Sequence, residues 1–265
     1  MMTTVAKIET IRARAGDLEL KAAASRLRLT YMRDHLDELI AEFTKLGLTL
    51  REALGCLFAK EIEQRNANRD EILRMAAHFP VEKTIEEYDK SFQPCIPSGL
   101  IDELAKLEWI DAAENVILIG PPGVGKTHLA IGLGMKAVSK GIAVRFYSAE
   151  NLIETLENSI KDGRFDQKIK ALNKYKLLII DELGYTPFTP KQTQLLFHLI
   201  NSRYEKKSVV ITSNRAPSEW PLFLGDPTAS SAILDRLIHH CTPVMIKGES
   251  YRMHECRLGQ LKTKE

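Results

Sequence analysis

The first residues whose types and spacing suggest chemistry are Gly120, Pro121, Pro122, Gly123, Val124, Gly125, Lys126 and Thr127, "GPPGVGKT". This is a complete G-x-x-x-x-G-K-T, in which glycines let backbone N–H groups turn inward around phosphate oxygens. A helix opening at Lys126, Thr127 and His128 would add the positive end of its dipole at the same point. The lysine then reaches the β- and γ-phosphates of a nucleotide, and the threonine hydroxyl can ligate Mg²⁺. A glycine-rich turn with a chance lysine is the competing explanation. The flanks argue against it, because "NVILIG" before the motif reads as a strand and "KTHLAIGLGMKAVSKG" as a helix ending near Gly141.

Two more apolar runs end in polar groups. "KLLIIDELG" closes on Asp181 and Glu182. Acids at the end of a buried strand are costly without a partner or a task. Asp181 suits the Mg²⁺ shell and Glu182 can polarise an attacking water, a pairing that favours hydrolysis over transfer to a bound acceptor. A strand end reaching solvent would also tolerate both acids. "VVITSNR" ends on Asn214, which could orient the water or touch the γ-phosphate, or could simply form the turn before "RAP".

These groups need a scaffold that brings strand ends together. After about residue 100, short apolar runs alternate with helical patterns: "NVILIG", "AVRFYS", "KLLIID", "SVVITS" and "TPVMIK" are strands, with helices between them. The expected fold is α/β, a parallel sheet covered by helices on both faces, whose strand carboxyl ends form a ligand crevice. Thr189 and Gln192 have capping-box spacing around Pro190, which marks one helix start. Residues 1–80 read as a small all-helical domain and 81–265 as the α/β domain, with Pro80, Pro94 and Pro97 punctuating the entry. One N-terminal helix is suggested from Leu20 to Phe43. A second follows Thr49 and Glu52, again at capping-box spacing.

Near the end, "SSAILDRLIHHC" reads as one amphipathic helix from Ser230 to Cys241, with Ile233, Leu234, Leu237 and Ile238 as its buried stripe. Arg236 lies off that stripe, and on helical geometry alone it could be a surface arginine paired with Asp235. His239 and His240 are adjacent, so on one helix they point about 100° apart and cannot share a metal.

Net charge is +2, so any nucleic-acid surface has to be local. Arg12, Arg14, Lys21, Arg26, Arg28 and Arg33 could track a phosphate backbone or form a solvated face. "KDGRFDQKIKALNKYK" reads as a second basic segment, a loop between core elements. Tyr88 and Phe92 either line an adenine pocket or pack in the core. Cys56, Cys95, Cys241 and Cys256 are scattered without metal-site spacing, and free thiols are expected. No signal-peptide core or membrane-length apolar run is present, so a cytoplasmic protein with no membrane partner is expected.

The order of these motifs resembles the AAA+ ATPase core. The segments "FQP", "GPPGVGKTHLAIGLG", "LLIIDELGYTPF", "RYE", "TSNR", "EWPLFLGDP", "AILDRLIHH" and "GESYR" together resemble the IstB family of ATP-binding transposition helpers, relatives of DnaC-type helicase loaders. The similarity covers about residues 75 to 255. It departs at Thr186, where an apolar residue is expected, and at Lys206 and Lys207. The resemblance implies ATP and Mg²⁺ as cofactors and a reduced or absent lid domain. It implies a homo-oligomer with ATP at subunit interfaces, assembled on double-stranded DNA that it remodels, and a cognate transposase as partner. It places Asn214 at sensor 1, Arg236 at the arginine finger that acts on a neighbouring subunit, and Arg252 as a sensor-2-like phosphate contact. A DnaC-like helicase loader is the nearest alternative. A small-molecule P-loop kinase would leave Asn214 and Arg236 unexplained.

Overall fold

The computed structural model describes residues 17–89, 92–93, 95–97 and 99–251. Arg12, Arg14, Arg252 and Cys256 lie outside the described residues. The chain divides into two compact units, Met1–Arg69 and Asp70–Glu265.

The first unit is helical, with α1 (Asp17–Arg26), α2 (Thr30–Leu46) and the first part of α3 (Leu50–Ala77). The single helix expected from Leu20 to Phe43 is broken. Arg28 takes a left-handed φ of 55°, which ends α1 and turns the chain into α2. The orphan N–H groups of α2 explain why the break is tolerated. Thr30 N and Met32 N, each at 3.1 Å, donate to the buried Glu61 carboxylate on α3, and Arg65 Nε pairs with that carboxylate at 3.0 Å. The capping box at Thr49 forms as expected: its N–H donates to Glu52 at 2.8 Å. Lys21 pairs with Asp37, and Arg33 with Asp34 at 2.6 Å. Arg26 and Arg28 are exposed.

The division between units falls inside α3, earlier than the boundary near residue 80 read from the prolines. Ala77 and Phe79 already belong to the second unit's core. Ala77 is fully buried there, Arg145 Nη1 donates to Ala76 O at 2.9 Å, and Phe79 meets Phe146 edge-on at 6.4 Å.

The second unit holds α4 (Leu100–Lys106), α5 (Glu108–Asp111), β1 (Asn115–Ile119), α6 (Lys126–Ser139), β2 (Val144–Ser148), α7 (Ala149–Lys161), α8 (Phe165–Leu172), β3 (Leu177–Leu183), α9 (Pro190–Arg203), β4 (Ser208–Ser213), α10 (Trp220–Phe223), α11 (Pro227–His239) and β5 (Cys241–Met245). All five strands pair in parallel, in the order β2-β3-β4-β1-β5. Strands β1, β3 and β4 lie inside this order. β1 and β4 are buried throughout, and β3 is buried except at Glu182, the pattern of a sheet covered on both faces. Two apolar cores flank the sheet, one built on α6 and the other on α7, α9 and α11. Thr189 and Gln192 close the expected capping box on α9, with Pro190 in its first turn.

Two expectations change here. The basic segment read as a loop contains α8, whose Leu172 is buried and whose Phe165 and Ile169 pack on the core. The last helix starts earlier and stops at His239, and Cys241 already begins β5. Ile233 and Leu237 are buried as expected, but Ile238 is 50% exposed, so the stripe is narrower than read.

Candidate functional site

The carboxyl ends of β1, β3 and β4 lie side by side, and each delivers one of the expected motifs. β1 and α6 flank the loop Gly120–Gly125. Gly123 and Gly125 have φ of +83° and +94°, which side-chain-bearing residues rarely adopt. Space forbids side chains as well. A Cβ on Gly123 would lie 2.1 Å from Ser250 Oγ, and one on Gly125 would lie 2.8 Å from the Tyr88 ring. The loop is thus a backbone cradle walled by the chain on two sides.

One wall is the segment after β5. Ile246 N donates to Ile119 O at 2.7 Å and Tyr251 N to Gly123 O at 3.0 Å. The "GESY" residues therefore run along the loop. The other wall is Tyr88, which is buried and meets His128 edge-on at 5.4 Å. His128 Nε2 lies 2.9 Å from Thr84 O, so this histidine faces the entry segment. Burial pushes the Tyr88 hydroxyl up to about 12, so it stays protonated, and it has no hydrogen-bond partner among the described residues. Phe92 packs edge-on against Tyr251 at 5.1 Å. Both aromatics thus line the surroundings of the loop.

Lys126 is buried, and its Nζ donates to Gly120 O and Pro121 O at 2.7 Å each. The ammonium lies folded into the cradle, where an anionic phosphate would compete with two neutral carbonyls. Thr127 Oγ1 lies 2.9 and 3.1 Å from the two oxygens of Asp181. A hydroxyl and a carboxylate brought together are hard oxygen donors, the set that Mg²⁺ prefers.

Asp181 and Glu182 separate at a β-bulge where the register with β4 shifts. Asp181 stays buried, while Glu182 takes φ of 60° and is exposed. Thr212, fully buried on β4, ties both down. Its Oγ1 donates to Asp181 at 2.6 Å and accepts from Glu182 N at 2.9 Å. Sequence reading missed Thr212, because a threonine inside an apolar strand looks like ordinary β-propensity. An open cleft of about 440 Å³ borders the two acids and is lined also by Arg145, Tyr147 and Ser148. Asn214 is exposed immediately after β4, between the ends of β1 and β3.

Arg236 is elsewhere. Asn115, the first residue of β1, donates to Leu237 O at 3.1 Å, and its N–H donates to His240 O at 2.8 Å. Arg236 therefore stands by the amino ends of the strands. The five residues of β1 separate it from the loop, roughly 16 Å at about 3.3 Å per residue. Its guanidinium lies 5.0 Å from the Phe197 ring, with Nε donating to Asn201 Oδ1 and Nη1 to Ala232 O, both at 2.9 Å. Asn201, not Asp235, is the side chain it bonds.

The IstB-like ATP binding protein family matches residues 22–258. The chain belongs to that family. The insertion sequence IS21 ATP-binding protein of Pseudomonas aeruginosa is 42% identical over 93% of each chain. The IS5376 counterpart of Geobacillus stearothermophilus is 36% identical over 91% of this chain and 96% of its own. Among solved structures, DnaI superposes with a TM-score of 0.53 at 19% identity, covering 66% of this chain and 93% of that one. AMPPCP-bound DnaA from Aquifex aeolicus gives 0.52 at 20% identity, over 63% and 50%. These two likenesses establish the AAA+ fold. Membership of its family makes the IstB-like chain an ATP-binding ATPase. No helix among the described residues is long and apolar enough to cross a membrane.

Proposed function

We propose that this IstB-like chain is an ATP-dependent DNA-binding helper of transposition, which oligomerises on double-stranded DNA, remodels it and recruits and stimulates a cognate transposase. In this account the backbone of Gly120–Gly125 and Lys126 bind the triphosphate. Thr127 and Asp181 would hold Mg²⁺, which would supply charge neutralisation on the phosphates. Glu182 accepts the proton of the attacking water, Asn214 orients that water, and Thr212 positions both acids. Arg252 contacts phosphate from the segment that walls the loop. The N-terminal helices, with Arg26 and Arg28 exposed, supply contacts to the DNA backbone and to neighbouring subunits.

One observation carries the assembly: Arg236 stands at the opposite end of β1 from its own cradle. A guanidinium there can reach developing γ-phosphate charge only in another copy, which makes hydrolysis conditional on oligomerisation. The relatives at 42% and 36% identity are named for insertion sequences. The likeness to DnaI is one of fold, so transposition is preferred over helicase loading.

Fluorescence anisotropy on a labelled duplex tests this. Binding should be tight and salt-sensitive with a non-hydrolysable ATP analogue and weak with ADP. Equal affinity in both states would overturn the ATP-dependent assembly.

A further inference from the structure

At the end of α11, three ligand-type side chains play no part in the nucleotide chemistry. Glu205, His239 and His240 each offer one donor atom, and these atoms lie within 4.8 Å of one another. Both imidazoles approach the same carboxylate oxygen: His240 Nε2 is 3.6 Å and His239 Nδ1 is 3.9 Å from Glu205 Oε1. The two rings lie 4.1 Å apart, tilted by 54°.

The spacing rule that forbids such a pair assumes a continuous helix. Here α11 stops at His239, and His240 has left it, with φ −126° and ψ 82°. Its ring therefore returns to the side of its neighbour. Glu205 is presented by a separate element. It sits in a left-handed turn after α9, with φ of 55°, closed by Lys206 N and Lys207 N donating to Arg203 O at 2.9 Å each. Two backbone breaks, on two elements, aim three donors at one surface point.

We infer that Glu205, His239 and His240 form a binding site for a divalent transition-metal ion of the Zn²⁺ type. Two imidazoles and a carboxylate suit Zn²⁺, Co²⁺ or Ni²⁺ better than Mg²⁺. Bonds of about 2.1 Å in a tetrahedron set donors about 3.4 Å apart, so the two contacts to Glu205 need shifts of only a few tenths of an ångström. All three side chains are about half exposed and can make that adjustment. The Tyr204 hydroxyl, 2.8 Å from His239 Nδ1, would be displaced when an ion takes that nitrogen.

The test uses the untagged full chain without nucleotide, stripped with EDTA and with its accessible thiols alkylated, titrated with ZnCl₂ by calorimetry. The wild type should bind Zn²⁺, and His240→Ala and Glu205→Gln should each weaken that binding by roughly tenfold or more. His35→Ala, an exposed histidine of the first unit, should match the wild type. Circular dichroism would verify that the variants fold, as expected for exposed positions. Zn²⁺ binding by His240→Ala and Glu205→Gln equal to that of the wild type, or none by the wild type, would overturn the site.

Discussion

Replacing Thr212 with valine removes one hydroxyl from a fully buried position and little else. The two side chains are nearly the same shape and both suit a strand. Two hydrogen bonds disappear. The 2.6 Å bond to the Asp181 carboxylate is to a charged group, a class that contributes about 1.5–3 kcal/mol. Loss of the acceptor for Glu182 N costs about 1 kcal/mol more. The expected destabilisation is therefore about 2.5–4 kcal/mol, which for a unit of this size lowers Tm by roughly 5–16 °C. The kinetic effect is separate. Glu182 holds a left-handed φ of 60° that this bond and the bulge help to enforce, so releasing it should misplace the carboxylate. Each 1.4 kcal/mol of lost transition-state stabilisation is about tenfold in rate. The Thr212→Val chain should therefore show kcat for ATP hydrolysis reduced by about tenfold or more with KM little changed, and Thr212→Ser should restore most of it. Thermal denaturation and steady-state ATPase assays measure both. An unchanged Tm, or a raised KM with unchanged kcat, would refute the positioning role.

Two further outcomes follow from the geometry. Gly125→Ala must hold a side chain at φ +94° within 2.8 Å of the Tyr88 ring, a strain of about 1–3 kcal/mol. A fluorescent ATP analogue should bind it at least about tenfold more weakly, and unchanged affinity would mean that the loop relaxes freely. The Cys241 thiol, pushed up to about 12 by burial, should not react with a thiol reagent in the folded chain at pH 8. Cys241→Ser should therefore give the same native thiol count as the wild type. The sign of the linkage also follows: the folded thiol holds its proton above the unfolded value, so its contribution to stability is lost as pH rises from about 9 toward 12. Chemical denaturation across that range should show a shallower decline in Cys241→Ser, and identical slopes would count against burial as the cause.

The motif residues were legible because their chemistry is local. A glycine-rich loop between a strand and a helix, and polar residues ending apolar strands, can be read without knowing the strand order. The parallel sheet followed from the same alternation. What was not legible depends on backbone breaks and on contacts between distant segments. Arg28 at left-handed φ splits a helix whose apolar period runs on without interruption, and the cap that permits it comes from Glu61, some thirty residues later. Helix α8 was hidden because its basic residues outweighed the three apolar ones that pack inward. His240 leaves α11 one residue after the periodic pattern is still satisfied, so a spacing rule misjudged the histidine pair. Thr212 carried no signal, since its importance lies across the sheet at Asp181.

In the proposed assembly one subunit's Arg236 completes another subunit's ATP site. Mixing Arg236→Ala chains, which keep the cradle and Glu182, with Glu182→Gln chains, which keep Arg236, measures this directly. ATPase activity on duplex DNA should rise above the sum of the two separate preparations, with a maximum at intermediate ratios. Activity no greater than that sum at every ratio would contradict an arginine supplied between subunits.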